Sequence, residues 1–500
     1  MIRRFLIHEV GQPCTELRRA ESERILRAQP FLADATILTI DDSSGGTRLH
    51  VITEDELSIV GAVSVSSGSP YLTRLKLGDG NVLGGGVYAA AEWRDGLFYR
   101  DAWAARVIDY QLFGRPYQIA AEARREHLGR EWVTEARHPF LTDLQRAAWR
   151  ISAGEQSAFF AFPREGVDAA ALEFDRSYAD IGAIIRLGGP GRLSLFGASA
   201  SRQRESTAQS PVVISDNGIL ADTSTALIGR YGSHRTARVN ALWGVRTVRF
   251  TLAEGFDALN AAQDIRHGFQ LGVLAGRSLA VLGSTDDDVF VAADLYSGWT
   301  SGPVFLGIQI LGEGRENYDE NRWDGILASG RAAAYLRLGP HHTVIGSAEY
   351  SGGWRHRRPF ALELGDPDGG IRGYGDSRVV GAQRGVARLE DRLRIGAIGR
   401  AMDVGVALFA DAGRMRAGDV PFGVDTPMLY GVGVGLLGAV PARSRRLWRL
   451  DVAYPLSTDR HAGLEIRFSS SDLTRVFWKE PRDVSRSRER FVPASLFNWP

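Results

Sequence analysis

Residues 384–396, RGVARLEDRLRIG, show most clearly the pattern from which the fold can be predicted. Its charged side chains recur at every second position, and most positions between them are apolar. One face carries Arg388, Glu390, Arg392 and Arg394, and the opposite face carries Ala387, Leu389, Leu393 and Ile395. Because successive side chains of a β-strand point to opposite faces, this period predicts a strand with one polar and one apolar face.

The same period of two recurs from residue 57 to residue 468, in short segments bounded by Gly, Asp, Asn or Pro. Two architectures produce this pattern. A soluble β-sandwich or propeller turns its apolar face inward, whereas a transmembrane barrel turns it outward to lipid. The charged polar faces favour the barrel, as do aromatic residues at the segment ends: Trp93, Phe98, Tyr99, Trp299, Trp354, Tyr430 and Tyr454.

Composition excludes several classes of function. The 500 residues carry a formal net charge of +1, which argues against a strongly basic nucleic-acid binder. All but two of the 60 basic residues, Lys76 and Lys479, are arginine. The single cysteine, Cys14, excludes an intramolecular disulfide and a multi-cysteine zinc site. No apolar run approaches the roughly 18 residues that a transmembrane helix needs.

The sequence carries no recognisable enzyme signature. His8-Glu9 lacks the second histidine of a zinc-protease helix, and Gly197-Ala198-Ser199 lacks the closing glycine of a nucleophile elbow. We therefore predict a protein that is not an enzyme and that needs neither a metal nor a cofactor.

The sharpest local motif is DPDGGIRGY, residues 366–374, and by itself it reads as a glycine-rich hairpin tip. Two further motifs follow it in order: LEDR at 389–392 and FADAG at 409–413. Together they resemble the Omp85 superfamily, also called bacterial surface antigen D15 proteins. The family's loop tip is Val-Arg-Gly-Phe/Tyr, and here the tip is Ile371, Arg372, Gly373 and Tyr374.

The resemblance extends to the strands after this loop. Glu390 and Arg392 match the family's Glu-x-Arg strand, and Phe409, Asp411 and Gly413 match its Phe-x-Asp-x-Gly strand. The resemblance implies a barrel of 16 antiparallel strands with five after the loop. The sequence offers five there, at 384–396, 401–413, 430–440, 446–455 and 461–468, but more candidates before residue 340 than 16 strands require.

Residues 1–56 form a separate unit, before a barrel at 57–468. We predict helices at Ile2–Val10 and Glu16–Ala28, with Thr15 as a helix cap, and strands at Ala35–Ile40 and Arg48–Thr53. This order resembles the family's periplasmic POTRA domain without its first strand. We therefore expect that the chain starts downstream of the true start and lacks a signal peptide.

Alternation also places the three charged motif residues. Glu390 and Asp411 both fall on the lumen faces of their strands, so a loop folded into the lumen brings Arg372 between them. A guanidinium fork suits two carboxylates. The alternative is that both acids pair only with neighbouring lumen arginines.

The resemblance implies an outer-membrane protein that inserts or translocates polypeptides. Its partners are then the lipid bilayer, unfolded clients captured by β-augmentation, and periplasmic proteins or lipoproteins, with no nucleic acid. The first and last strands, 58–66 and 461–468, form a seam that opens laterally. A two-partner secretion transporter and a passive porin-like or structural barrel remain alternatives.

The barrel's last strand carries a C-terminal signal of Gly463, Leu464, Ile466 and Phe468, and an extension follows at 469–500. This extension is polar and arginine-rich, with five aromatic residues: Phe477, Trp478, Phe491, Phe497 and Trp499. We expect it on the periplasmic side, either docked at the barrel mouth or on the POTRA-like unit, or else disordered.

Overall fold

The computed structural model describes residues 1–41, 45–65, 72–95, 101–164, 167–215, 218–457, 462–472 and 480–489. Neither helix of this part of the chain has the length and apolar character needed to cross a membrane.

The N-terminal unit contains one α-helix and one hairpin. Helix α1 is Glu16–Arg27, and the Thr15 side chain accepts a hydrogen bond from its third residue as predicted. Strands β1 (Leu32–Asp41) and β2 (Thr47–Asp55) pair antiparallel. The predicted helix at 2–10 is wrong, because only a 3-10 turn forms, at Ile2–Phe5. Beyond that turn the backbone N–H of Ile7 donates to the Ser22 hydroxyl instead of to a helical carbonyl.

The rest of the described chain closes into an antiparallel barrel. Twenty strands form the wall: β3 Ile59–Val65, β4 Leu72–Asp79, β5 Val87–Arg94, β6 Ala102–Leu112, β7 Tyr117–Glu126, β8 Gly129–His138, β9 Ala147–Arg164, β10 Val167–Gly189, β11 Arg192–Thr207, β14 His234–Arg246, β16 Ala262–Ser278, β17 Asp288–Ser301, β18 Val304–Asn317, β19 Arg322–Arg337, β20 His342–Trp354, β23 Gln383–Ile398, β24 Met402–Arg416, β25 Leu429–Ala439, β26 Arg446–Pro455 and β27 Glu465–Asp472. Short strands extend this wall or pair inside a loop: β12 Val212–Ser215, β13 Gly218–Ala221, β15 Arg249–Glu254, β21 Leu362–Glu363 and β22 Val380–Gly381.

The predicted count of 16 strands is wrong. The five strands after the 366–374 motif are present, and the four additional strands all precede it. The extra candidate strands that the sequence offered before residue 340 therefore include real strands. The count of 16 strands implied by the resemblance had left no room for them. The last strand also continues past Phe468 to Asp472, because residues 469–472 pair with the first four residues of β26.

The wall is polar inside and apolar outside. In β10 the exposed Ile181 and Ile185 alternate with buried residues such as Asp180. Arg238, Arg246 and Arg384 are among the largest fully buried side chains of the described chain. This arrangement inverts that of a soluble sandwich and matches a barrel whose outer face contacts lipid.

The N-terminal unit packs against one mouth of the barrel. Arg27 forms a two-pronged ion pair with Asp264 of β16, at 2.7 and 2.9 Å. Arg24 donates to the carbonyl of Leu141, between β8 and β9, and Arg445, before β26, donates to the carbonyl of Leu32. These contacts involve three separate parts of the barrel rim. The unit therefore packs across the mouth and is not attached through a single strand.

The barrel closes where the first strand meets the last. Strands β3 and β27 pair through three residues, Val63–Val65 with 466–468, in the described chain. Their pairing with the neighbours on the other side is longer, with seven residues between β3 and β4 and eight between β26 and β27. The Ser470 hydroxyl adds one hydrogen bond to the carbonyl of Gly61.

Candidate functional site

The segment between β20 and β23, residues 355–382, folds into the lumen. Its β21 and β22 pair with each other, and its apolar side chains join the largest buried cluster. Ile371 and Tyr374 of the motif are both buried in that cluster. The motif therefore lies inside the barrel, facing the wall formed by β23 and β24. We call residues 355–382 the lumen loop.

Arg372 lies between two wall carboxylates. Its Nε and Nη2 donate to the two oxygens of Asp411, at 2.8 and 2.7 Å, and its backbone N–H donates to the same side chain at 3.2 Å. Its Nη1 lies 3.3 Å from Glu390 Oε2. The guanidinium also stacks over the Phe409 ring, with its carbon 3.5 Å from the ring centroid. Four side-chain contacts and one backbone contact thus fix this residue in position.

Glu390 accepts hydrogen bonds from more than one arginine. Arg449 of β26 donates both terminal nitrogens to it, at 3.0 and 3.1 Å, and Arg392 donates through Nε. Arg449 also pairs with Asp451. The wall acids therefore pair with neighbouring lumen arginines, as the alternative predicted, and with Arg372 as well. The site is a shared network rather than an isolated pair.

Gly373 fits a place where a side chain would collide. Its φ is +94°, and a Cβ there would lie 2.9 Å from the backbone nitrogen of Pro455. Its N–H donates to Glu465 Oε2 of the last strand at 2.8 Å. The next residue, Tyr374, donates its hydroxyl to the carbonyl of Tyr430 at 3.0 Å. The lumen loop is therefore attached to β25 and β27 as well as to β23 and β24.

Gly413 also permits a close approach. A Cβ at this position would lie 2.9 Å from the Ile371 side chain, so only glycine lets the loop tip reach the wall. Arg388, on the lumen face of β23, donates to the carbonyl of Gly370 at 2.8 Å and pairs with Glu349.

The residues of the predicted C-terminal signal divide between two environments. Gly463 donates its N–H to the carbonyl of Gly373 at 3.3 Å, so it contacts the lumen loop. Leu464, Ile466 and Phe468 point outward and are exposed on the barrel surface. Phe468 stacks with Trp448 of the neighbouring strand.

Of the predicted extension 469–500, residues 469–472 continue the last strand, and residues 480–489 lie in the lumen and not at the mouth or on the N-terminal unit. We call residues 480–489 the tail segment; it contains helix α2, Arg482–Ser487. Its Asp483 accepts from Arg384 of β23, and its Arg488 pairs with Glu313 of β18. The arginine-rich wall accounts for this placement, because it offers partners to the tail's carboxylates. The five aromatic residues predicted as anchors lie outside the described residues.

Sequence reasoning missed Arg449, Glu465 and the wall arginines that contact the tail segment. Arg449 and Asp451 alternate with apolar neighbours in β26, so their lumen orientation was readable, but their height in the barrel relative to Glu390 was not. Within the described ranges, no group of three or more side chains is placed to hold a metal ion.

No protein-family model matches the chain, and no curated protein does. Among solved structures, BamA from Haemophilus ducreyi lacking POTRA domains 1–3 is similar at 11% identity and a TM-score of 0.38, over 94% of this chain and 81% of that one. CdiB from Escherichia coli is similar at 11% and 0.49, over 94% and 73%. CdiB from Acinetobacter baumannii is similar at 10% and 0.42, over 94% and 70%. These values establish neither a family nor a function for this chain.

Proposed function

We propose that this chain is an outer-membrane barrel of the Omp85 type that inserts or translocates other polypeptides. The observation that carries the proposal is the short seam between β3 and β27. Three paired residues join these strands, fewer than join any other neighbouring wall strands of the described chain. Among the described residues, 59–62 of β3 and 469–472 of β27 each pair with their other neighbour but form no ladder pairs with each other. The wall therefore separates with the least cost at this seam.

The lumen loop supports the same function. Arg372 attaches the loop to β24 through Asp411, and Gly373 attaches it to β27 through Glu465. The loop thus links the interior of the barrel to one strand of the seam. In this proposal the loop positions the last strand while the seam opens, and Arg372 acts as its anchor.

The N-terminal unit offers a surface for an extended client. Leu38 and Ile40 of β1 and Ile52 of β2 are apolar and about half exposed. A client strand that adds to this two-stranded sheet would gain backbone hydrogen bonds and cover these side chains. We propose that residues 1–56 are a POTRA-like periplasmic domain that captures clients in this way.

A passive pore fits the structure less well. The lumen loop and the tail segment both lie inside the barrel, and the N-terminal unit packs over one mouth. Export of one cognate protein through the lumen, as in two-partner secretion, remains the second candidate. It differs from insertion because it requires the lumen and not the seam.

The decisive experiment locks the seam. Val63 and Phe468 are directly opposed across it, so Val63→Cys with Phe468→Cys, in a Cys14→Ser background, should form a disulfide. Oxidation should abolish insertion of client barrels into vesicles, and reduction should restore it. The matched control is a cysteine pair at Val434 and Val452, which oppose each other between β25 and β26.

The outcomes separate the candidates. Insertion lost only with the seam lock supports lateral opening. Insertion that proceeds unchanged in the oxidised protein rejects it. If the oxidised protein loses insertion but still secretes a client, insertion uses the seam and secretion uses the lumen. If the parent protein secretes a client but never inserts one, the secretion transporter is favoured.

A further inference from the structure

The tail segment is built into the lumen through charged contacts with several strands. Glu489 is almost fully buried, and its backbone N–H donates to Glu313 of β18 at 3.0 Å. The Arg488 guanidinium pairs with Glu313 at 3.2 Å and donates to the Ser329 hydroxyl of β19 at 2.8 Å. The Ser487 carbonyl accepts from Arg358 of the lumen loop. The segment is therefore bound by both wall and loop.

Three arginines converge on the Glu489 carboxylate. Arg315 of β18 contacts Oε1, and Arg358 lies 3.7 Å from the same oxygen. Arg176 of β10 lies 3.7 Å from Oε2. All three arginines are more than nine-tenths buried. Glu205 of β11 also pairs with Arg358 at 2.8 Å and with Arg176 at 3.4 Å, so a wall carboxylate and one carboxylate of the tail share this arginine site.

A second arginine binds the other end of the segment. Arg384 of β23 holds Asp483 with both terminal nitrogens, the longer contact being 3.1 Å. The backbone N–H of Glu363 donates to the same carboxylate at 3.0 Å. Asp483 and Glu489 are six positions apart in sequence, so two separated arginine sites bind two carboxylates of one short peptide.

The surface between these sites fits a peptide backbone. Val484 is fully buried in the cluster formed by the lumen loop. Pro481 packs so closely on Gly369 that a Cβ there would lie 2.5 Å from its ring. Paired charges, a buried apolar side chain and a glycine contact together describe a groove for a polypeptide rather than a site for a small free anion.

We propose that these arginines form a binding groove for acidic polypeptide segments, and that the tail segment is a displaceable occupant that closes the lumen. A ligand with carboxylates spaced like Asp483 and Glu489 replaces the tail, contact for contact. That this ligand belongs to a translocating client rests on the function proposed above, whereas the groove and its closure by the tail do not.

The test is ion conductance of the full chain in planar bilayers. Asp483→Asn with Glu489→Gln keeps the shape of the tail and removes its two bound charges. Loss of two charge-assisted contacts should raise the open probability by about tenfold or more. Glu320→Gln, which removes an exposed carboxylate of the β18–β19 turn, is the matched control and should behave as the parent.

Peptide probes then define the groove. Hexaglutamate should block the open variant, and hexalysine should not. A synthetic peptide of residues 480–489 should also block it, but the same peptide with asparagine and glutamine at the two acidic positions should not. Conductance that is insensitive to every peptide, or blocked equally by hexalysine, would overturn the proposal.

A crosslink distinguishes an open channel from a misfolded protein. Ser329 contacts Glu480 at the start of the tail segment, so Ser329→Cys with Glu480→Cys can be joined by a short thiol crosslinker in the Cys14→Ser background. Added to the open variant, the crosslink should close the channel, and cleavage of the linker should reopen it. A crosslinked channel that stays open would show that the tail does not close the lumen. None of these measurements involves client insertion. The groove proposal can therefore fail while the proposed function stands, and the reverse.

Discussion

The lumen loop and the tail segment occupy the same barrel with opposite charge arrangements. The loop brings a cation, Arg372, to carboxylates of the wall. The tail brings carboxylates, Asp483 and Glu489, to arginines of the wall and loop. The loop is held at both ends by wall strands, so breaking its contact leaves the buried Asp411 carboxylate in place without its closest partner. The tail can carry its charges away, so water can solvate the wall arginines it leaves.

The largest effect should come from the loop. Arg372→Ala removes the closest partner of Asp411, which keeps Arg388 at 3.9 Å. Glu390, in contrast, keeps Arg392 and Arg449. The cost should therefore lie at or below the roughly 3–5 kcal/mol of a broken buried pair, and lumen water reduces it further. We expect client insertion to fall far more than the amount of folded barrel. Heat-modifiable mobility in gel electrophoresis measures the folded barrel. Arg378→Ala, an exposed arginine of the same loop, is the control. A fully active Arg372→Ala protein would remove this anchor from the proposed mechanism.

The next effect should come from the tail and should leave the barrel intact. Asp483→Ala removes the carboxylate that Arg384 binds, so the tail should leave the lumen and expose Arg482 and Arg488 to trypsin. Cleavage at these arginines, followed by mass spectrometry, should accelerate by about tenfold, as loss of a charge-assisted contact requires. The unfolding temperature should match that of Ser485→Ala, a change on the exposed side of α2. A lowered unfolding temperature would mean that the tail stabilises the barrel as the loop does.

A smaller effect should follow from steric crowding at the loop tip. Gly373→Ala places a Cβ against the Pro455 backbone at a positive φ, at a cost of about 1–3 kcal/mol. The expected result is a lower unfolding temperature with partial activity. Gly399→Ala is the control, since it has a positive φ but open space around it. Equal losses in both variants would assign the cost to backbone conformation and not to the close approach.

The smallest effect should be a pH dependence of tail docking. Burial raises the pKa of Asp366 to about 6, and the Asp483 carboxylate adds to this, while Arg384 opposes it and the Gly369 N–H hydrogen-bonds it. Asp368 also raises it. Only the part of this rise that Asp483 supplies depends on the tail, so docking should strengthen by less than about tenfold as pH falls from about 6 towards 4.5.

The dependence should reverse in stronger acid. Burial alone would raise the pKa of Glu489, but Arg315 and Arg358 hold it below the usual range. That contribution is lost as pH falls through the lower pKa, so docking should weaken below about 4.3. The open probability in planar bilayers measures both limbs, because trypsin is inactive in acid. Asp366→Asn should weaken the limb near pH 6, to which Glu363 also contributes because burial and the Asp483 carboxylate raise its pKa as well. An open probability that falls steadily from pH 5 to pH 8 would contradict the sign.

Alternation in the sequence predicted the five strands after the loop and the lumen orientation of Glu390 and Asp411. With the charged faces and the aromatic residues it favoured an antiparallel barrel, and capping and turn residues predicted the helix Glu16–Ala28 and the hairpin of the N-terminal unit. These are local properties, because the side-chain period and the turn residues determine which face each residue occupies. The meeting of Arg372 with both acids was predictable only because three motifs stood in order on adjacent strands.

The tertiary structure decided what depends on closure. The 20-strand wall, the short seam among the described residues and the height of Arg449 beside Glu390 follow from register around the whole barrel, which no single segment encodes. The tail segment is the clearest case: its sequence is polar and reads as a solvated extension. Its placement inside the lumen depends on arginines from β10, β18 and β23, more than 90 residues away in sequence, which only the closed barrel brings together.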